Sequence, residues 1–85
     1  MDKFTALADP TRRDIIEMLA IHGQLCASEI SDKFQVSPSA ISQHLKVLRE
    51  ANLVRMEKRA QQRIYRINRA TMVELEAWAR QLTQW

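Results

Sequence analysis

Residues 37–50, Ser37-Pro38-Ser39-Ala40-Ile41-Ser42-Gln43-His44-Leu45-Lys46-Val47-Leu48-Arg49-Glu50, encode a helix together with its own start signal. Ser37 suits the N-cap, because its hydroxyl can accept from an orphan N–H of the first turn. Pro38 takes the first helical position, where a missing N–H costs nothing. Ile41, Leu45 and Leu48 recur at i, i+4 and i+7 and form one apolar stripe. The opposite face carries Ser39, Gln43 and Lys46, with Ser42 beside it. A face serving solubility alone would favour Glu and Lys. Small hydrogen-bonding residues suit a surface that presses into a groove and reads base edges.

The segments before this helix give it a partner. Residues 2–8 form a short helical segment with Phe4, Leu7 and Ala8 on one side. Asp9 and Pro10 repeat the cap-and-proline start, and the helix they open runs to about Ile21 with Ile15, Ile16 and Leu19 buried. Arg12 and Arg13, in its first turn, are candidate phosphate contacts. Gly23, the only glycine, is placed as a left-handed C′ residue. A third helix is expected over about Ala27–Phe34, with Cys26 at the N-cap, Glu29 three residues on in a capping-box position, and Ile30 and Phe34 inward. Two short helices joined by a turn of about three residues make a helix-turn-helix, and residues 37–50 are its recognition helix.

Beyond Asn52 the apolar period changes from 3.6 to 2. Val54 and Met56 alternate with Arg55 and Glu57, and Tyr65 and Ile67 alternate with Arg66. This predicts a two-stranded hairpin over about 53–59 and 62–68. Its turn, Arg59-Ala60-Gln61-Gln62-Arg63, lacks Gly, Asn and Asp, so a type I′ turn is disfavoured and a longer, mobile tip is expected. The fold class is therefore mainly α with a small β-hairpin, a winged helix-turn-helix. Charge is concentrated on this part of the chain. Residues 46–69 hold eight basic and two acidic side chains, a net +6, while the remainder carries −3. That polarity fits one face presented to a polyanion; the plainer alternative is a solvated charged surface.

The last segment, about 70–84, is helical, with Leu75, Trp78, Ala79, Leu82 and Trp85 at i, i+3, i+4, i+7 and i+10. Two tryptophans on one stripe exceed what a small core needs and argue for a partner surface, so the terminal helices (about 2–8 and 70–84) are expected to dimerise. The alternative is that the last helix folds back on its own core.

At 85 residues the chain is expected to form one small domain, residues 1–85, with ordinary globular composition rather than disorder: 46% apolar and 27% charged. One cysteine excludes an intrachain disulfide and fits a reducing compartment. No apolar run reaches transmembrane length and no signal-peptide pattern opens the chain, so a soluble cytoplasmic protein without membrane association is expected. No nucleophile–base pair, carboxylate pair or Gly-rich phosphate loop occurs, so an enzyme is not expected.

Three motifs then carry a family resemblance. Ala6-Leu7-Ala8-Asp9-Pro10-Thr11-Arg12-Arg13, Ser39 through Val54, and Arg63-Ile64-Tyr65-Arg66-Ile67 resemble the ArsR/SmtB family of bacterial winged-helix transcriptional repressors, over about residues 4–68. The tryptophan-bearing last helix resembles the non-metal, autorepressor-containing branch. The resemblance implies a homodimer on double-stranded operator DNA with inverted repeats, joined through its first and last helices. Phe4, Leu7, Leu75, Trp78, Leu82 and Trp85 are the interface candidates. Family metal sensors often carry a Cys-x-Cys pair at the start of the third helix; Cys26 matches the first position, but Ser28 stands at the second. Residues 70–85 contain no His or Asp for the family's other metal site. No metal and no cofactor are expected.

In this reading Ser39, Ser42, Gln43 and Lys46 face base edges, Ala40 packs on a thymine methyl, and Ser37 with the helix N-terminus holds a phosphate. His44 is either a phosphate donor or a packed structural residue. Lys58, Arg59, Gln61, Gln62 and Arg63 form the wing, reaching the minor groove or backbone. Arg55 and Arg66 lie on the outer strand face and contribute mainly field. A winged-helix protein-interaction module and a repressor sensing a small molecule or redox signal are the alternatives.

Overall fold

The computed structural model describes residues 1–85. In chain order its elements are α1 (Lys3–Ala6), α2 (Pro10–His22), β1 (Leu25–Cys26), α3 (Ala27–Asp32), α4 (Pro38–Glu50), β2 (Val54–Arg59), β3 (Gln62–Ile67) and α5 (Arg69–Leu82). This is a winged helix-turn-helix: α3 and α4 are the paired helices and β2–β3 is the wing.

The starts of the long helices follow the sequence. The Ser37 hydroxyl accepts the Ala40 N–H at 3.2 Å, and an Asp9 carboxylate oxygen accepts the Arg12 N–H at 3.0 Å. Asp2 caps α1 in the same way, accepting from the Thr5 N–H at 2.9 Å. Helix α1 is shorter than the 2–8 segment expected. Gly23 follows α2 with φ 84° and ψ −53°, a positive φ that calls for glycine but lies outside the left-handed helical basin.

Helix α3 stops at Asp32 rather than Phe34. The Lys33 and Phe34 N–H groups bond three residues back, to Ile30 and Ser31. This last turn tightens in 3₁₀ fashion, and the linker to α4 is five residues, 33–37, instead of about three. Its start is capped by the Glu29 carboxylate, which accepts the Cys26 N–H at 2.8 Å.

Helix α4 ends in a full Schellman motif. Asn52 adopts φ 61°, the Leu53 N–H reaches the Leu48 carbonyl at 2.9 Å, and the Asn52 N–H reaches the Arg49 carbonyl at 3.0 Å. The motif reverses the chain into β2 while Leu48 and Leu53 are both fully buried. The Thr71 hydroxyl then donates to the Asn52 carbonyl at 2.6 Å and the Asn68 N–H to the Leu53 carbonyl at 3.0 Å, which pins the start of α5 beneath the same corner.

The sheet has three strands, in the order β1-β3-β2, all antiparallel. The two-stranded hairpin expected from the sequence gains β1, which pairs Leu25 with Tyr65 and Cys26 with Ile64. Two residues are too few to show a period of 2, so this strand left no pattern to read. The expected long tip is also corrected. Arg59 pairs with Gln62, leaving only Ala60 and Gln61 between the strands. Ala60 takes φ 53° and Gln61 does not have a positive φ, so the turn is tight without being type I′.

Ile15, Leu19, Ile30, Ile41, Leu45, Leu48 and Leu53 form the fully buried centre, with Leu25, Val54 and Tyr65 closing it from the sheet. Each such aliphatic side chain contributes about 1.5–3 kcal/mol of burial. Helix α5 joins this core through Thr71, Met72 and Leu75 and then leaves it: Trp78, Leu82 and Trp85 are 48%, 47% and 97% exposed. No helix is long and apolar enough to cross a membrane.

Candidate nucleic-acid interface

The core stripe of α4 fixes which residues point outward. With Ile41, Leu45 and Leu48 buried, Ser39, Ser42, Gln43, Lys46 and Arg49 are exposed, and Ala40 and His44 lie half-buried on the flanks. Ser42, Gln43 and Lys46 line an open groove of about 550 Å³ that continues along Arg49 and Glu50 to Asn52, and is closed on the wing side by Arg63 and Tyr65. The groove therefore joins the exposed face of α4 to the wing. Seven of its eight lining residues are polar or charged. Arg49, Glu50 and Asn52 join the groove beyond the residues expected from the sequence. Arg49 falls at i+3 from Lys46, the helical spacing that would have found it.

Strand register divides the wing. Lys58 is directly opposite Arg63, so the two share the α4-side face. Arg55, Glu57 and Arg59 project from the other face, opposite Arg66, Ile64 and Gln62. Arg55 and Arg66 thus lie on the outer face, as expected. Arg59 belongs with them: its Nε donates to the Glu57 carboxylate at 2.6 Å. This hydrogen bond, and then the Arg59 charge, hold the Glu57 carboxyl below the ordinary glutamate range, while Glu57 raises the Arg59 guanidinium above its ordinary value. Gln61, Gln62 and Arg63 flank a second cavity, of about 400 Å³, beside Cys26, Ala27 and Ser28.

His44 occupies the seam between α4 and α2. Its Nδ1 lies 3.3 Å from an Arg12 terminal nitrogen and 3.9 Å from the Asp9 carboxylate. Asp9 titrates below the ordinary aspartate range, chiefly because the Arg12 N–H bonds it, with the nearby His44 adding to this. Arg12 Nε also donates to the Ala6 carbonyl at 2.6 Å, and Arg13 donates to the Leu7 carbonyl at 2.7 Å. Both arginines, candidate phosphate contacts in the sequence, instead cap the carbonyl end of α1, where cations are favoured.

A family model for bacterial regulatory proteins of the arsR family matches residues 9–56, the span from the start of α2 into β2. The chain belongs to the ArsR family. As an ArsR-family transcriptional regulator with a DNA-binding winged helix-turn-helix, it is 42% identical over 83 residues to the HTH-type transcriptional regulator Rv2034 of Mycobacterium tuberculosis, covering 92% of this chain and 77% of that one. It is 32% identical to the transcriptional repressor SdpR of Bacillus subtilis, with 88% of this chain and 82% of SdpR covered. Among solved structures, a possible transcriptional regulator for arsenical resistance superposes with a TM-score of 0.86 at 35% identity, covering 96% of this chain and 84% of that one. A homodimeric winged helix-turn-helix DNA-binding domain from Mycobacterium bovis shares the fold with a TM-score of 0.75 at 24% identity, covering 94% of this chain and 73% of that one. ArsR-family proteins are regulators rather than enzymes.

Two further features of this ArsR-family regulator lie away from the groove. The Phe4 and Trp78 rings meet edge to face with centroids 4.9 Å apart, and Lys3 reaches Glu74 at 3.5 Å, so α1 and α5 form one continuous surface. Phe4, Trp78 and Leu82 are exposed on it and Trp85 is exposed past the end of α5, whereas Leu7 and Leu75 are half-buried against the core. Cys26 is buried with its Sγ 3.2 Å from the Ser28 hydroxyl, and no three His, Cys, Asp or Glu side chains come together as a metal-binding group.

Proposed function

We infer that this ArsR-family regulator is a homodimeric repressor that reads a pseudo-palindromic operator with α4 and grips the flanking backbone with its wing. The observation that carries this reading is the single groove shared by Ser42, Gln43 and Lys46 of α4 and Arg63 of β3. Gln43 can pair bidentately with adenine N6 and N7, and Lys46 can donate to guanine O6 and N7. Ser39 and Ser42 supply single hydrogen bonds, and Ala40 supplies an apolar contact to a thymine methyl. The Ser37 hydroxyl is engaged as the N-cap by the Ala40 N–H, and Pro38 has no N–H, so a phosphate at this end of α4 is met by the Ser39 N–H, while His44, two turns on beside Arg12, is a separate candidate phosphate donor. Lys58, Arg63, Gln61 and Gln62 carry the backbone contacts of the wing.

The dimer is formed by the joined α1–α5 surface, with Phe4, Trp78, Leu82 and Trp85 at its centre and Leu7 and Leu75 beneath them. Its uncovered aromatic area supports this, as does the homodimeric state of the M. bovis domain. Residues 1–85 then act as one domain, and two copies of α4 enter successive major grooves about 34–36 Å apart. Repression, the role in SdpR's name, would follow here from occluding a promoter. The regulator works in the cytoplasm and does not respond to metal, since Cys26 has a serine in place of a second thiolate ligand.

Selection of bound duplexes from a random pool, with anisotropy titration of those recovered and sedimentation analysis of the protein, tests this reading. The expected result is a two-fold symmetric site bound by a dimer with strong salt dependence. Absence of salt-dependent binding to any duplex would favour a protein-interaction module instead.

A further inference from the structure

Glu57 is the only carboxylate on the outer face of the β2–β3 hairpin, a face it shares with three arginines. Register puts Arg55, Glu57 and Arg59 on this face and sets Arg55 directly opposite Arg66, a like-charge pair that works against the ladder. Glu57 lies within 2.6 Å of Arg59 and 3.8 Å of Arg66. All three side chains are about half exposed, so these ties exchange readily with water and with other anions. Arg59 is the last residue of β2, beside the two-residue tip, yet its head group turns back along the strand to Glu57 instead of extending past the tip. A carboxylate and a DNA phosphate compete for the same guanidinium fork.

Building on the reading of this surface as DNA-binding, we propose that Glu57 is a positioning residue that holds Arg59 back on the outer face of the wing and so limits the sequence-independent part of DNA affinity. A second role, steadying the hairpin by separating like charges, is compatible with the same contacts; it predicts a lower melting temperature for Glu57→Gln, and any gain in DNA affinity from the lost charge alone would persist without Arg59. Because the contact is to a phosphate, releasing Arg59 strengthens binding to all duplexes alike.

The test uses the full chain, a mixed-sequence duplex spanning several helical turns, and anisotropy titrations over a salt series, with thermal melts alongside. Glu57→Gln is expected to bind about twofold to fivefold more tightly at low salt, the range set by an exposed ion pair. Its salt slope should steepen by about one unit. Glu57→Asp, which keeps the charge, should bind as the wild type does, and Glu57→Gln should bring no gain in a chain that already carries Arg59→Ala. In the otherwise native chain, Arg59→Ala should cost less affinity than Arg63→Ala, a comparison independent of how Glu57→Gln folds. Unchanged or weaker binding by Glu57→Gln, a gain that persists without Arg59, or equal losses for Arg59→Ala and Arg63→Ala would each overturn the proposal. A wild-type chain that binds no duplex would instead remove the DNA-binding reading on which it rests.

Discussion

Lys58 and Arg63 face each other directly across the wing hairpin, on the side turned toward α4, and neither has a carboxylate within 4 Å. Like charges in directly opposed positions weaken an antiparallel pair. The arrangement has a rationale when a polyanion lies over that face. Replacing both residues by threonine should leave the melting temperature unchanged or slightly higher. The same replacement should weaken binding to every duplex and lower the salt slope by about one unit per residue. Calorimetry and salt-series titration of one protein preparation check both halves of this expectation.

The α1–α5 surface makes a separate expectation about assembly. Trp78 is half exposed in the monomer and stacked edge to face on Phe4. Trp78→Ala removes an aromatic pair of about 0.5–1.5 kcal/mol together with the area a second copy would cover. Sedimentation equilibrium should show dissociation to monomer at concentrations where the wild type is dimeric. DNA binding should weaken with it, because two half-sites are no longer engaged together.

Acid should destabilise the fold through its helix caps. Asp9 and Glu29 both titrate below their ordinary values in the folded chain, each chiefly because its carboxylate accepts a backbone N–H, from Arg12 and Cys26 respectively. A depressed carboxylate pKa gives stability that is present above the unfolded value and is lost as pH falls through the folded one. Melting temperatures should therefore drop below the ordinary carboxylate range. Asp9→Asn, which can still accept from the Arg12 N–H, should show a shallower acid dependence. Asp9→Ala should cost about 1 kcal/mol at neutral pH by removing the cap.

The corner after α4 is a point of backbone strain. Asn52 holds φ 61°, where a β-branched residue is disfavoured by about 1–2 kcal/mol. Asn52→Val should lower stability by that amount, and Asn52→Gly should be close to neutral. Chemical denaturation should show a change in midpoint with little change in slope, because the core beneath, Leu48 and Leu53, stays in place.

Local signals made much of this molecule legible from sequence. Ser37-Pro38 and Asp9-Pro10 set the starts of α4 and α2, and the Ile41–Leu45–Leu48 stripe fixed the outward face of α4. What escaped depends on contacts between segments. Strand β1 is two residues long and exists because Leu25 and Cys26 pair with Tyr65 and Ile64. The tight tip forms although Ala60 must take a positive φ, a local cost that six strand pairs outweigh. The bonds from Arg12 and Arg13 to the Ala6 and Leu7 carbonyls depend on how the chain turns between α1 and α2. The tie between Glu57 and Arg59 follows from strand register, which composition does not record. The Schellman signal, Asn followed by an apolar residue at a helix end, is present in Asn52-Leu53 but is weaker than the Gly that usually marks it.

Gln43 tests the account most directly, because its exposed position on α4, in the groove shared with Arg63, is where sequence reading is assigned. The measurement is duplex selection carried out in parallel with the wild type and Gln43→Ala, followed by titration of the recovered sites at fixed salt. The expected result is loss of preference at one symmetry-related pair of operator positions, worth about 1–3 kcal/mol, with the salt slope unchanged. An unaltered base preference at every position would contradict the assignment of α4 as the reading face.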